Sequence, residues 1–285
     1  MKYLVDWITE AEKNATALGH FNISTIEMFW AIVHAAKKLS LSVVIGVSEG
    51  ERDFLGVRQV VSLVKSAKEE SGQPIFLNAD HTYSYERAVE AIDAGFDSVI
   101  IDGAKLSFEE NILLTKRVVD YAHSNGKITL VEGELGYIGQ SSKVLEAIPE
   151  GVNPDQALSL TEVRRFVGET GIDLLAPSIG NFHGMLREGT EPLHNELITA
   201  IREAAGVPLV LHGGSGISPS DFKKAIAHGI AMIHISTELR LAYRVALQCS
   251  LQENPDEVAP YKFLKGPMQA VERVVEEKLA LFSGL

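Results

Sequence analysis

The sequence predicts an α/β fold, a (β/α)8 TIM barrel, from two observations. Eight short apolar runs rich in Val, Ile and Leu recur along the 285 residues, and segments with helical spacing separate them. Such runs are typical of buried parallel strands joined by crossover helices, and eight of these units form a barrel of roughly 250 residues. An open doubly wound sheet is the alternative, but no early Gly-x-Gly-x-x-Gly motif follows a strand. We therefore expect one barrel domain over residues 1–285.

The predicted strands follow one another at regular intervals. Residues 108–126, between two strands, repeat apolar side chains on one helical face, and residues 218–229 have serines at the start and a glycine at the end. Amphipathic helices are predicted over 1–15 and 268–282. In chain order the strands are predicted over 19–24, 42–48, 74–81, 98–103, 128–135, 174–180, 208–214 and 232–237.

Composition excludes several classes of protein. The net charge of −12 argues against a nucleic-acid partner, because phosphate backbones need basic surfaces. No apolar run approaches the roughly 18–20 residues that span a bilayer, and the N-terminus has acids where a secretory signal would not, so we expect a cytoplasmic protein with no membrane partner. The single cysteine, Cys249, excludes an intrachain disulfide framework and is expected to be at least half-buried.

Three histidines stand at the ends of three predicted strands: His81, His183 and His212. A lone histidine in an apolar run is usually a core residue. The C-terminal ends of parallel barrel strands, however, meet at one rim, which is where barrel enzymes build their sites. Imidazole nitrogens bind Zn²⁺ at about 2.0–2.1 Å, so the pattern indicates a metal site.

Carboxylates are predicted at the same rim. Asp80 precedes His81, Asp102 ends the fourth strand, and Glu132 and Glu134 end the fifth. A carboxylate beside a metal can orient a ligand, hold a second cation or move a proton. The same residue types also cap helices and pair with cations, and the spacing alone leaves these alternatives open.

The chain has two features that suit a phosphate. HGGSG (212–216) lies between the seventh strand and a helix, and the eighth strand ends in Ser236 and Thr237. Glycines allow the backbone to approach a ligand closely, and helix N-termini favour anions. Barrels often bind phosphate after strands seven and eight. The two longest connections, 140–159 and 185–196, follow strands five and six and suit lids or substrate contacts.

Several long motifs resemble, in order and spacing, those of the class II metal-dependent fructose-bisphosphate aldolases and the sister tagatose-bisphosphate aldolases. The resemblance runs from about residue 18 to the C-terminus. The matching segments are FN (21–22), VSEG (47–50), NADHT (78–82), the long run 95–123, EGELG (132–136), SIGNFHG (178–184) and LVLHGGSGI (209–217).

The resemblance implies an aldolase site. It implies a Zn²⁺ held by His81, His183 and His212, and Asp80 as the group that exchanges a proton with the C4 oxygen. Asp102 and Glu134 would serve a second or alternate metal position. A monovalent cation, Na⁺ or K⁺, and a homodimer or homotetramer are also usual. The residues matched to substrate contacts are Asn22, Ser48, Gly184, Gly213, Ser215, His234, Ser236 and Thr237.

The sequence departs from the family pattern at four places. Ala104 replaces a usual Ser, and GQSSK (139–143) replaces an acidic loop. His234 stands where an Asn often touches substrate, and Met268 falls near a usual Arg that reaches the far phosphate. We expect Lys265 to bind that phosphate instead. Two less favoured positions are Arg52 and Arg187.

The expected reaction is the reversible cleavage of fructose 1,6-bisphosphate to dihydroxyacetone phosphate and glyceraldehyde 3-phosphate, in glycolysis and gluconeogenesis. Tagatose bisphosphate or another ketose phosphate is the alternative substrate. A metal-dependent hydrolase would usually have His-x-His at the first strand, and this strand reads GHFNI. A non-catalytic binding barrel would have lost metal ligands or the acid, and the chain retains all of them.

Overall fold

The fold is a closed barrel of eight parallel strands, as the sequence predicts. A computed structural model describes residues 2–124, 126, 128–140, 142–155, 157–189 and 193–285. Its strands are β1 (Leu18–Asn22), β2 (Val43–Val47), β3 (Ile75–Thr82), β4 (Ser98–Ile101), β5 (Leu130–Leu135), β6 (Val144–Leu145), β7 (Leu174–Pro177), β8 (Met185–Leu186), β9 (Leu209–Leu211) and β10 (Ile230–Ile235). Around the barrel the order is β1-β10-β9-β7-β5-β4-β3-β2. Each of the eight predicted strands corresponds to one barrel strand.

Helices connect the strands and form the outer layer. They are α1 (Leu4–Lys13), α2 (Ile26–Leu39), α3 (Glu49–Leu55), α4 (Val57–Ser71), α5 (Tyr85–Ala94), α6 (Phe108–Ser124), α7 (Leu160–Thr170), α8 (Asn195–Ala205), α9 (Pro219–His228), α10 (Thr237–Glu253), α11 (Pro260–Phe263) and α12 (Lys265–Ser283). The expected ends of α9 are confirmed, because the Ser218 side chain accepts from the Asp221 amide and Gly229 ends the helix in a left-handed conformation. Among the described residues, no helix is long and apolar enough to cross a membrane.

The two ends of the barrel are built differently. At the N-terminal end, α1 lays its apolar face across the strand ends, and its side chains join a separate core cluster. That cluster contains Leu4, Ile8, Ala11, Leu18, Val44, Phe76, Leu130, Leu174, Ala176, Val210, Ala231 and Met232. The C-terminal rim instead carries buried polar side chains. Helix α1 therefore closes one end of the barrel, and the other end is left for a site.

Two features differ from the expectations. The long connections after β5 and β7 pair with each other, because β6 and β8 form a two-stranded parallel sheet with Val144 opposite Met185. The expectation for Cys249 is wrong, since its side chain is exposed. Cys249 lies on α10, an outer helix whose buried residues are Thr237 and Leu239 near its first turn.

Candidate active site

A polar cavity of about 200 Å³ opens at the C-terminal rim. It brings together most of the residues singled out in the sequence. Its lining residues are Asn22, Ser48, Glu49, Gly50, Asp80, His81, Tyr83, Gln140, Ser142, His183, Gly184, Gly213, Ser215, His234, Ser236, Thr237 and Arg240.

His81 reaches the cavity through a kink in β3. Its φ angle is +39°, and the pairing of β3 with β4 shifts register between Ala79 and Thr82. A left-handed residue inside a strand costs of order 1–3 kcal/mol and persists only where its surroundings impose it. Arg52 is part of those surroundings, because its buried guanidinium donates to the carbonyl oxygens of Val47 and Asp80 at 2.9 and 3.2 Å. Arg52 therefore supports the backbone and does not line the cavity.

Four side chains converge in a geometry that suits a metal ion. Ligand atoms of His81, Glu134, His183 and His212 all lie within 4.8 Å of one another. Within the described part of the chain, three buried atoms there have no hydrogen-bond partner: Nε2 of His183, Nδ1 of His212 and Oε2 of Glu134. Buried polar atoms are normally paired, so these three indicate a missing partner. Two nitrogens and one carboxylate oxygen are a donor set that fits Zn²⁺.

Carboxylates behind the histidines fix the orientation of their rings. Glu132 Oε1 lies 2.7 Å from Nε2 of His212, and both side chains are fully buried. Asp102 Oδ2 lies 3.0 Å from Nδ1 of His81. Metal-binding histidines are commonly held in this way through the other ring nitrogen. Asp102 thus contacts a proposed ligand and is outside the four-residue cluster, whereas Glu134 belongs to it.

The protonation states of the cluster are strongly perturbed. Burial and the neighbouring imidazole of His81 hold the pKa of His183 well below its ordinary value, so this ring is neutral. Burial and the Asp102 carboxylate raise the pKa of Glu134 to about 8. Burial lowers the pKa of His81, but the Asp80 and Asp102 carboxylates outweigh it and raise that pKa to about 10. Groups of this kind are typical of functional sites.

Asp80 lies beside this cluster. One of its carboxylate oxygens accepts a hydrogen bond, and the other faces His234. The Asn22 amide donates to Oδ2 at 2.8 Å, and Oδ1 is 3.5 Å from Nδ1 of His234 and 3.9 Å from Nε2 of His81. Burial raises the pKa of Asp80, but the imidazoles of His81 and His234 outweigh it and hold this pKa well below its ordinary value. The side chain is therefore a carboxylate that can accept a proton.

His234 belongs to a stack of imidazoles. Its ring lies 3.5 Å from the ring of His20, centroid to centroid, with 7° between the planes, and 4.2 Å from that of His212. His20 is fully buried, and burial lowers its pKa to about 4. The stack needs Gly46 on the neighbouring strand, because a Cβ there would lie 2.1 Å from Cε1 of His20.

The expected phosphate-binding residues meet at the start of α10. Gly213 has a φ of +62°, and a Cβ there would lie 2.2 Å from the carbonyl oxygen of Phe182, so only glycine fits. Ser215 Oγ accepts from the amides of Ser236 and Glu238 at 3.4 and 3.2 Å. These two residues flank Thr237, the first residue of α10, and the positive end of that helix favours an anion. We call this group, with Gly184, the α10 cradle.

The far-phosphate candidates fall elsewhere. Lys265 is exposed and absent from the cavity lining. Arg187 is also absent from it, and its Nε donates to Glu146 at 2.7 Å. Arg240 and Tyr83, which are not among the residues predicted from the sequence, do line the cavity. Arg240 lies three residues beyond Thr237, and this spacing places it within the first turn of a helix that starts at the rim.

The residues that depart from the family pattern lie in different parts of the structure, and only some of them line the cavity. Gln140 and Ser142, from the non-acidic loop, line the cavity. The amide of Ala104 donates to Asp102 Oδ1 at 3.2 Å, so this contact needs no side chain at position 104. Met268 packs partly buried against the main core.

Comparisons with known proteins agree with this geometry. Residues 2–284 match the family model "Fructose-bisphosphate aldolase class-II". A probable fructose-bisphosphate aldolase of Bacillus subtilis (strain 168) is 36% identical, over 98% of this chain and 96% of the relative. A fructose-bisphosphate aldolase of Staphylococcus epidermidis is 35% identical, over 97% and 95%. The crystal structure of the YdjI aldolase from Escherichia coli K12 superposes with a TM-score of 0.80 at 33% identity, over 99% and 96%. The chain therefore belongs to the class II fructose-bisphosphate aldolases, a family of metal-dependent aldehyde-lyases.

Proposed function

We propose that this enzyme reversibly cleaves fructose 1,6-bisphosphate to dihydroxyacetone phosphate and glyceraldehyde 3-phosphate, in glycolysis and gluconeogenesis. One observation carries the proposal: the three imidazoles of the metal cluster converge at a cavity that His81, His183 and Asp80 line together with the α10 cradle. An aldol cleavage needs an electrophile at the ketone, a base at the C4 hydroxyl and a site for phosphate, and the cavity offers residues for each.

The proposed cofactor is Zn²⁺, held by His81, His183 and His212, with Glu134 and Asp102 at a second or alternate position. When bound, it would supply Lewis-acid chemistry at the ketone oxygen. The buried atoms that lack partners on His183, His212 and Glu134 support this assignment. We also propose a monovalent cation, Na⁺ or K⁺, near the phosphate.

Asp80 is proposed to move the proton. In the cleavage direction its carboxylate takes the proton of the C4 hydroxyl, and the electron pair of that O–H bond forms the second bond of the aldehyde carbonyl. The C3–C4 bond breaks and its electron pair forms a double bond between C2 and C3, while the π electrons of the C2 carbonyl move onto its oxygen to give the enediolate of dihydroxyacetone phosphate. The Asn22 amide holds Oδ2 and leaves Oδ1 on the side of His81 and His234.

The substrate contacts are proposed from the cavity lining. The α10 cradle, made of Gly184, Gly213, Ser215, Ser236 and Thr237, would bind the phosphate of the dihydroxyacetone half. Asn22, Ser48 and His234 would contact the sugar. They lie around Asp80 and at the ends of β1, β2 and β10.

The test is a cleavage assay on fructose and tagatose 1,6-bisphosphates, with and without a chelator. We expect cleavage of the fructose substrate, loss of activity on chelation, and recovery with Zn²⁺, Co²⁺ or Mn²⁺. Full activity in metal-free protein, or trapping of a substrate adduct by borohydride, would contradict the metal mechanism. Faster cleavage of tagatose bisphosphate would reassign the sugar and leave the mechanism intact.

We further propose a homodimer or homotetramer, with residues 1–285 as one domain, acting in the cytoplasm. The buried apolar residues of the C-terminal helix α12 pack within the same chain, where the helix contacts α2 and α10, so the proposed assembly is supported by the family match alone. A monomer mass by light scattering that is independent of concentration would contradict it.

A further inference from the structure

The α10 cradle has a carboxylate beside it. Glu238 directly follows Thr237 and is the acidic residue in the first turn of α10. Its Oε1 accepts a hydrogen bond from the amide of Gly216 at 2.6 Å, and its own amide donates to Ser215 Oγ at 3.2 Å. Glu238 therefore joins the HGGSG loop (212–216) to the start of α10 through both its side chain and its main chain.

This carboxylate opposes the binding of a phosphate at the cradle. A negative charge in the first turn interacts favourably with the helix dipole, but it occupies the same positive end of α10 that would attract a phosphate. Two anions near one another repel, most strongly where little water screens them, and the side chain of Glu238 is only 19% exposed. A phosphate dianion therefore binds well in the cradle only if a cation compensates for Glu238.

Lys278 of the C-terminal helix α12 supplies that cation. Its Nζ lies 3.0 Å from Oε1 and 2.9 Å from Oε2 of Glu238, so it contacts both carboxylate oxygens. The ammonium group also lies 5.0 Å from the centre of the Phe222 ring on α9, which is a cation–π contact. The side chain of Lys278 is only 14% exposed, so these contacts keep its charge beside Glu238 and away from solvent.

On the basis of the proposed function, we infer that Lys278 neutralises Glu238 and thereby allows the α10 cradle to bind the phosphate of the dihydroxyacetone half. Glu238 holds the loop 212–216 against α10, and Lys278 removes the repulsion that this carboxylate would exert on the phosphate. Lys278 is a positioning residue, since it does not line the cavity and acts through Glu238. The C-terminal helix α12 thus takes part in substrate binding from outside the site.

The test removes the charge of Lys278 and measures phosphate binding apart from catalysis. Lys278→Met keeps an unbranched apolar stem, and the metal-loaded protein is titrated with dihydroxyacetone phosphate in a calorimeter. We expect the Kd to rise roughly tenfold, the lower end of the range for a hydrogen bond to a charged group. KM for fructose 1,6-bisphosphate should rise with it, whereas kcat and zinc content should stay close to wild type, as for a loss of binding alone. Lys278→Arg should retain the wild-type affinity.

The double variant Glu238→Gln/Lys278→Met separates neutralisation from a loss of structure. Glutamine keeps an oxygen that can accept from the Gly216 amide but carries no charge. If Lys278 acts by cancelling the charge of Glu238, the double variant should recover most of the affinity that Lys278→Met loses. A lysine that served only to stabilise the fold would give no such recovery.

Lys38→Met is the matched control, because it also removes an ion pair of α12. Nζ of Lys38, on α2, lies 2.8 Å from Oε2 of Glu276, and neither residue contacts the carboxylate of Glu238. This variant should leave both the Kd for dihydroxyacetone phosphate and the KM for the bisphosphate unchanged.

Three outcomes would overturn the inference: a metal-loaded wild type that does not bind dihydroxyacetone phosphate, an unchanged affinity in Lys278→Met, or a double variant that binds as weakly as Lys278→Met. A metal-loaded wild type that binds dihydroxyacetone phosphate but cleaves neither sugar bisphosphate would instead refute the proposed function, and the role of Lys278 at the cradle would still be decided by the affinities.

Discussion

Two groups of histidines meet at this rim, and they differ in the orientation of their rings. His81, His183 and His212 meet edge to face, with interplanar angles of 76°, 83° and 61°. His20 and His234 lie face to face, 7° from parallel. Both groups, with a neighbouring carboxylate, place their potential ligand atoms within 4.8 Å of one another. Distance alone therefore does not separate them.

Ring orientation does separate them. The lone pair of an imidazole nitrogen lies in the plane of its ring, so a metal ligand must point its edge at the ion. Rings that meet edge to face can direct lone pairs to one point. Two parallel rings 3.5 Å apart cannot, because an ion shared between them would lie well outside both planes. The first group can hold a metal, and the second orders the surroundings of Asp80.

The largest effect is expected from His212→Ala. Losing one of three proposed nitrogen ligands should empty the metal site and remove several kcal/mol of transition-state stabilisation, so turnover should fall by roughly 10⁴-fold. Metal content is measured by elemental analysis beside the cleavage assay. Normal zinc content in this variant would contradict the edge-to-face assignment.

Asp80→Asn should reduce turnover by about 10³-fold, the middle of the range for a positioned acid–base group, with zinc content unchanged. The amide keeps the shape of the side chain but cannot take the proton. Asp53→Asn, at an exposed position of α3, is the control. Near-normal turnover in Asp80→Asn would move the proton-transfer role to another residue.

Glu132→Gln should weaken zinc affinity roughly 10- to 100-fold, because this carboxylate holds the far nitrogen of His212. Competition with a chelator measures the affinity. Glu162→Gln on the exposed surface of α7 provides the comparison. An unchanged affinity would show that His212 is oriented without Glu132.

The smallest effect is expected from His20→Phe, which should leave zinc content unchanged and alter the pH dependence of stability. Burial lowers the pKa of His20 to about 4 in the folded protein, against an ordinary value of 6.5, so the unfolded state binds more protons between these two values. Stability is therefore lost as pH falls through this window, by about 1 kcal/mol at pH 5.5. Phenylalanine cannot be protonated, so the variant should not lose this stability as the pH falls. Denaturant unfolding at pH 7 and 5.5 measures the difference in the free energy of unfolding. A drop in zinc content would contradict the assignment of His20 to the group that does not bind the metal.

The sequence predicts the barrel and the metal histidines for the same reason. Strands such as 74–81 and 208–214 begin with apolar runs, and a histidine lies near the C-terminal end of each; chain order places these ends at one rim. Cross-barrel contacts carry no such local pattern. The pairing of Glu51 with Arg240 joins residues 189 positions apart, and the stack of His20 on His234 depends on the register of β1 against β10.

Other features follow from packing that a linear pattern does not contain. The two-residue strands β6 and β8 are too short for periodicity and are stabilised by each other. Cys249 is exposed because only the first turn of α10 is buried, although its apolar spacing alone is compatible with burial. Arg52 is fully buried because three oxygen atoms around β2 and β3 accept its donors.

The contact between His20 and Gly46 restricts the order in which these positions can mutate. A Cβ at position 46 would lie 2.1 Å from the His20 ring. While residue 20 is histidine, every other amino acid at 46 is therefore excluded unless the ring moves and the stack with His234 breaks. Once residue 20 is small, position 46 can accept a side chain, and histidine can then no longer return to 20 in a single step. The two positions form an epistatic pair in which the glycine must come first.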